Sequence, residues 1–172
     1  MTNELDLVEQ GLDEFYELYG QDLARRVLNH STNTPRFVFL DADDYKSVIE
    51  ATKNTLDASG PVLIWEQYAD TIEDGRRDNY NTRTEGSLAV ILPAENSVSA
   101  RRSATRQARS LCLQLLAHMR QDGLDGPLSN NAIRVVLDGQ NGESTGMLIP
   151  GWVGYGYSFS WLVPLDMTVV GV

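Results

Sequence analysis

The sequence predicts one α+β domain: a mainly antiparallel sheet of about 4–6 strands, flanked by an N-terminal helix and two further helices. Three observations predict this class. Apolar residues recur at three- or four-residue steps in three segments, as on one face of a helix, and other segments are short apolar or alternating runs typical of strands. The length of 172 residues suits one hydrophobic core, so residues 1–172 are predicted to form a single domain.

The first predicted helix is an N-terminal helical segment within residues 1–30. Its apolar stripe comprises Leu5, Val8, Leu12, Phe15, Leu18 or Tyr19, Leu23 and Val27. Gly11 and Gly20 weaken the pattern, and we expect a break near Gly20. Residues 29–35 have the composition of a loop, and "RFVFL" (36–40) then predicts a short strand.

The acidic run "DADD" (41–44) has two interpretations, a helix N-terminus and a carboxylate metal cluster. It precedes the helical pattern of Tyr45, Val48, Ile49, Thr52 and Leu56, and Asp side chains at a helix start accept its free N–H groups. We therefore favour capping of a second helix over metal binding. That helix is predicted to end at "ASGP" (58–61).

Two strand-like runs, 62–72 and 86–93, are separated by the long polar loop 73–85. This separation predicts either a hairpin with extended arms or a mobile loop. Arginine and tyrosine are enriched at protein interfaces, and a solvated loop without a partner is the alternative. The candidate inter-subunit or inter-ring contacts here are Arg76, Arg77, Asp78, Tyr80 and Arg83.

Residues 97–123 carry the clearest helical pattern, with a stripe of Ala100, Ala104, Ala108, Leu111, Leu115 and Met119. Ser97 or Ser99 is expected to cap this helix and Gly123 to end it. Cys112 falls in or beside the stripe, which favours a buried, inert thiol over a nucleophile. A loop (122–131), a strand (132–138) and a glycine-rich loop (139–151) follow, the last with a possible short strand at "GMLI" (146–149).

The stretch "GWVGYGYSFSWLVP" (151–164) alternates bulky and small side chains, as a strand with one aromatic face does. We predict a central or late strand whose core aromatic face, Tyr155, Tyr157, Phe159 and Trp161, packs on the helix at 97–123. An aromatic ligand site beside the same rings is the alternative. The C-terminal tail, 165–172, is expected to form an edge strand or to reach another subunit.

Charge is unevenly placed along the chain. There are 14 basic and 24 acidic residues, a net charge of −10, which argues against a broad nucleic-acid-binding surface. Residues 1–22 hold seven acids and no base. By contrast, 101–109 hold four arginines and no acid, Arg101, Arg102, Arg106 and Arg109. These segments are either two solvated helix faces or complementary faces that meet between subunits.

No pattern in the sequence predicts chemistry. The two histidines, His30 and His118, have no metal-ligand spacing, and no nucleophile elbow or phosphate loop occurs. The acidic N-terminus lacks the features of a secretory signal, and no apolar run is long enough to span a bilayer. We therefore expect a soluble non-enzyme with no catalytic, cofactor-binding or metal-binding residues and no membrane partner.

The order of these elements resembles the tail-terminator, or tail-completion, proteins of long-tailed bacteriophages and phage-like particles. The segments that carry the resemblance are 62–82, 100–122 and the aromatic strand 151–164, about half of the chain. The resemblance implies a virion protein at the tail–neck junction, assembled in the host cytoplasm as a ring, typically a hexamer. Such a ring caps the tail tube, ends its growth and contacts the neck or connector protein, while DNA passes through an acidic lumen without sequence-specific binding.

Two other functions stay open at this stage. One is another head–tail connector or neck protein of the same particle. The other is a cellular small-ligand-binding domain or enzyme with a pocket beside Tyr155, Tyr157 and Trp161.

Overall fold

The computed structural model describes residues 5–41, 59–74, 80–146 and 150–165. Three helices and six strands occur in this part of the chain. The helices are α1 (Leu7–Leu28), α2 (Val98–Asp122) and the short α3 (Pro127–Asn130). The strands are β1 (Phe37–Leu40), β2 (Val62–Asp74), β3 (Tyr80–Pro93), β4 (Arg134–Val136), β5 (Gly142–Gly146) and β6 (Trp152–Leu165). The predicted α+β class is confirmed.

The strands form one sheet in the order β1-β2-β3-β6-β4, and β5 also pairs with β6. The β1–β2 pair is parallel and the other pairs are antiparallel. Because β3 pairs with β6 along its whole length, β4 and β5 share the other edge of β6, at Ser160–Leu162 and Gly154–Tyr157. The aromatic strand is therefore an interior strand, as predicted.

Both long helices cover the same face of this sheet. α1 contacts β1 and β2, whereas α2 contacts β3 and β6. Even-numbered residues of β3 and odd-numbered residues of β6 face the helices, in agreement with the two-residue period of a strand. The opposite face carries a second, smaller buried cluster comprising Val38, Leu40, Val62, Ile64 and Ile91.

The helix ends follow the capping residues. The Asp6 carboxylate accepts a hydrogen bond from Val8 N (2.9 Å), and the Ser97 hydroxyl accepts one from Ala100 N (3.1 Å). Of the two predicted caps of α2, Ser97 is the one used, and Gly123 follows the last helical residue as expected. Asn29 ends α1 in the left-handed conformation.

The predicted break in α1 near Gly20 is wrong. The non-helical backbone lies at Gly11 (φ 75°, ψ 166°), where only glycine is unstrained. Gly20 is regular and buried, and a Cβ there would lie 2.8 Å from the Trp65 ring. Gly20 is therefore a site of close packing between α1 and β2.

Two smaller expectations also need correction. The predicted loop 122–131 contains α3, and the predicted strand 132–138 is shorter, at Arg134–Val136. The glycine-rich segment contains the strand Gly142–Gly146, which pairs with β6, whereas most of "GMLI" (146–149) lies outside the described residues. The "DADD" cap at 41–44 and its helix lie outside the described residues, apart from Asp41, as does the tail after Leu165.

Candidate interaction surface

Phe159 and Trp161 form the centre of the core and are not open to a ligand. Both side chains are at most 1% exposed. Trp161 lies edge-on to Tyr16 and Tyr19 of α1, with ring centroids 5.3 and 5.2 Å apart, and its Nε1 donates to Met119 Sδ of α2 (3.4 Å). The aromatic face was predicted to pack on the helix at 97–123, which is α2. In the structure it packs on α1 as well, and α1 supplies most of its aromatic ring contacts.

Tyr155 and Tyr157 continue the same face but are only half-buried. Their rings lie 5.4 Å apart, and the Tyr155 hydroxyl donates to Gly142 O (3.0 Å). The Arg109 guanidinium lies 5.9 Å from the Tyr155 ring centroid. The predicted pocket does not include Trp161, which is buried beneath the helices, but Tyr157 lines a pocket of about 580 Å³ together with Leu116, Arg120 and Leu137.

Cys112 is buried beneath the tyrosine pair. Its thiol donates to Tyr155 O (3.0 Å), and burial raises the pKa of the thiol to about 12. A thiol that stays protonated near neutral pH is a poor nucleophile. The predicted burial of this cysteine is confirmed, and the raised pKa supports the expectation of an inert thiol.

A buried polar cluster joins the two long helices, and sequence reasoning missed it. Asp122 accepts a hydrogen bond from the Tyr19 hydroxyl (2.7 Å) and is bound by Arg26 through NH1 (3.1 Å) and NH2 (2.6 Å). Arg26 Nε also pairs with Asp22 (2.8 Å). Burial of the Tyr19 hydroxyl raises its pKa well above the usual value, and the nearby Asp122 charge raises it further. One signal was present: an acid in the last turn of a helix opposes the dipole and so needs a partner.

The predicted polar loop 73–85 is mostly strand. β2 and β3 pair from Asp74↔Tyr80 inward, so the hairpin with extended arms is the correct alternative. We call residues 69–74 and 80–85 the arm. Arg83 Nε binds Glu73 across it (2.5 Å), and Tyr80 is half-buried opposite Leu165. Arg76, Arg77 and Asp78 lie outside the described residues.

The four arginines of residues 101–109 occupy the outward side of α2. Arg102, Arg106 and Arg109 are exposed and Arg101 is half-buried. Within the described residues none of the four has a carboxylate within ion-pair distance. Three of them, Arg101, Arg102 and Arg106, line a groove of about 740 Å³ between α2 and strands β5 and β6. We call this the arginine groove.

Three acids of α1 form a second charged surface beside β1 and β2. Asp13, Glu14 and Glu17 line a pocket of about 270 Å³ together with Phe39 and Tyr68. We call this the acidic pocket. The Tyr68 hydroxyl donates to Asp13 (2.5 Å), and partial burial followed by this contact raises the pKa of Tyr68. The pocket is thus a mixture of carboxylates and aromatic rings.

Across the described ranges, no three metal-ligating side chains lie together. None of the described helices has the length and apolar character needed to cross a membrane. The described residues present two charged surfaces, two half-buried tyrosines and a long hairpin arm to a partner.

No protein-family model matches the chain, and a search of curated proteins finds no match.

Proposed function

We propose that the protein is a structural subunit of a long-tailed phage or phage-like particle, one that forms a ring on the end of the tail tube. In this role it ends tube growth and joins the tail to the neck. The proposal rests on the resemblance in element order and on one structural observation, the arm. It assigns the chain a binding role rather than an enzymatic one.

The arm is longer than the core of the domain requires. β2 and β3 have 13 and 14 residues, more than twice the usual strand length of about 5–6. β1 pairs with β2 only at Leu63–Glu66, so β2 has no neighbour on its outer side in the described residues from Ala69 onward. Ile72 there is 61% exposed.

An unpaired strand edge with an exposed apolar side chain is a surface on which another chain can add. In a ring, such an arm would extend from each subunit toward the neighbouring disc. The proposal therefore assigns the arm to the contact with tail-tube or neck protein, and the remaining surface to contacts within the ring.

The test is the mass of the purified full-length chain by light scattering over a range of concentrations, alone and with the tail-tube protein of the same particle. We expect a closed ring of about six subunits, alone or only on the tube. Preferential binding to the portal-side connector would replace the proposal with the connector function. A monomer that ignores both proteins would overturn it.

The variant I72D, which places a charge on the free edge of β2, separates the arm from the rest of the ring. It should abolish binding to tube or neck protein and leave the subunit folded, because Ile72 is exposed. The matched control is T71D, at the neighbouring exposed position whose side chain projects to the other sheet face. Equal binding by I72D and the wild type would contradict the role of the arm.

A further inference from the structure

The two charged surfaces lie at opposite ends of the sheet. The acidic pocket is formed by α1 with β1 and β2, at one end of the strand order. The arginine groove is bounded by β5 and β6, at the other end. A surface and its electrostatic complement at opposite ends of one subunit favour head-to-tail contacts between copies.

We propose that the arginine groove binds the acidic pocket of a second copy of this chain. The inference rests on the proposed function for the premise that copies associate, and it names the surfaces through which they do so. Repeating such a contact around an axis closes a ring.

The groove has the composition of a protein-binding surface. Beside its three arginines lie the apolar side chains of Val98, 60% exposed, and Val153. Arg102 and Arg106 project from successive turns of α2 and have no carboxylate partner in the described part of the subunit.

The acidic pocket offers what a guanidinium group binds. Carboxylates pair with arginine in two-pronged hydrogen bonds, and aromatic faces attract its delocalised cation. Glu14 and Glu17 supply the first and Phe39 and Tyr68 the second. Glu14 has no cation within ion-pair distance among the described residues.

The overall charge of −10 makes this pairing selective. Two acidic copies repel each other in most orientations, and an orientation that places arginines against acids removes that repulsion locally. Head-to-tail pairing of these surfaces is the arrangement that does so, since contact between two acidic pockets or two arginine grooves would bring like charges together.

The experiment is a charge exchange between two double variants, under whichever condition the wild type assembles. We expect R102E/R106E and E14R/E17R to be monomeric separately, with association weakened about a hundredfold or more. An equimolar mixture should assemble again. Both surfaces of R102E/R106E are acidic and both surfaces of E14R/E17R are basic, so the two variants can alternate around a ring with opposite charges at every contact. Assembly of the wild type should also weaken as salt rises from roughly 0.05 to 0.5 M.

The matched control is R120E, an exposed arginine on the same helix that lies outside the groove. It should assemble normally, and the circular dichroism spectra of all variants should match that of the wild type, which would show that each variant is folded. If the double variants assemble like the wild type, or stay monomeric when mixed, the pairing is wrong while the ring function stands. A wild type that never assembles, even with tube protein, overturns both.

Discussion

Removing the Asp122 carboxylate should destabilise the protein far more than removing another carboxylate paired with arginine. In D122A the buried Tyr19 hydroxyl loses its acceptor, which costs about 1–3 kcal/mol. The Arg26 contact adds only about 0.5–1 kcal/mol, since the arginine side chain is 29% exposed and keeps Asp22. We expect a loss of about 1.5–4 kcal/mol in the free energy of unfolding.

The matched control is E73A, which removes the partner of Arg83. The side chains of Glu73 and Arg83 are 41% and 31% exposed, so the expected loss in the free energy of unfolding is below about 1 kcal/mol. Urea unfolding at pH 7 and one fixed protein concentration measures both, with D122N as an intermediate case that keeps an acceptor for Tyr19. Equal losses in D122A and E73A would refute the reasoning that the cluster joins α1 to α2.

Two further predictions concern close packing and pH. G86A should lose about 1–3 kcal/mol in urea unfolding, because a Cβ would lie 2.7 Å from Phe159 Cζ and closer still to the Tyr16 hydroxyl. G156A, whose Cβ would lie at least 3.1 Å from its neighbours on the other sheet face, should cost much less, and equal costs would contradict this packing. Burial lowers the pKa of His30, whose Nδ1 accepts from Arg36 N (3.0 Å), so the unfolded chain binds more protons and stability falls as pH drops below about 6.5. H30N keeps an acceptor and does not titrate, so the difference in urea midpoint between it and the wild type should change between pH 7.5 and 5; a constant difference would show that His30 does not contribute.

The sequence predicted the elements whose apolar pattern is strong and missed features that depend on distant partners. The odd-numbered side chains of β6 and the stripe of α2 both pack in the main core cluster, as their sequence patterns predicted. Composition could not distinguish Gly11 from Gly20, because one needs a positive φ and the other makes room for Trp65 on another strand.

The extent of the arm was hidden for a similar reason. Residues 80–85 are polar, and a polar run reads as a loop when it is taken alone. In the sheet these residues lie between β2 and β6, so their backbone groups are paired and Thr82 and Thr84 are buried. Pairing on both sides supplies strand stability that the side chains do not signal.

The sequence predicted the charged segments of the two candidate surfaces but not where they lie in the fold. The acidic and arginine-rich segments are plain in the composition, but their placement at opposite ends of the sheet depends on topology. β4 and β5 turn back beside β6, which places the groove at one end, and the parallel β1 places α1 at the other. The strand order, which the sequence does not reveal, is what favours head-to-tail contact between copies over the alternative that both charged surfaces face solvent.

The same charges limit how strongly two free copies can associate. Exposed ion pairs contribute about 0–1 kcal/mol each, whereas a dissociation constant of 1 μM requires about 8 kcal/mol. The carboxylates and arginines of the two surfaces therefore need the apolar contributions of Tyr68, Phe39, Val98 and Val153, and even then we expect weak pairing in dilute solution. A subunit held by a tube disc through its arm gains a high effective concentration of neighbours. On the proposed function, the ring should consequently form on the tube at concentrations where the free chain is monomeric, which would confine closure to a finished tail.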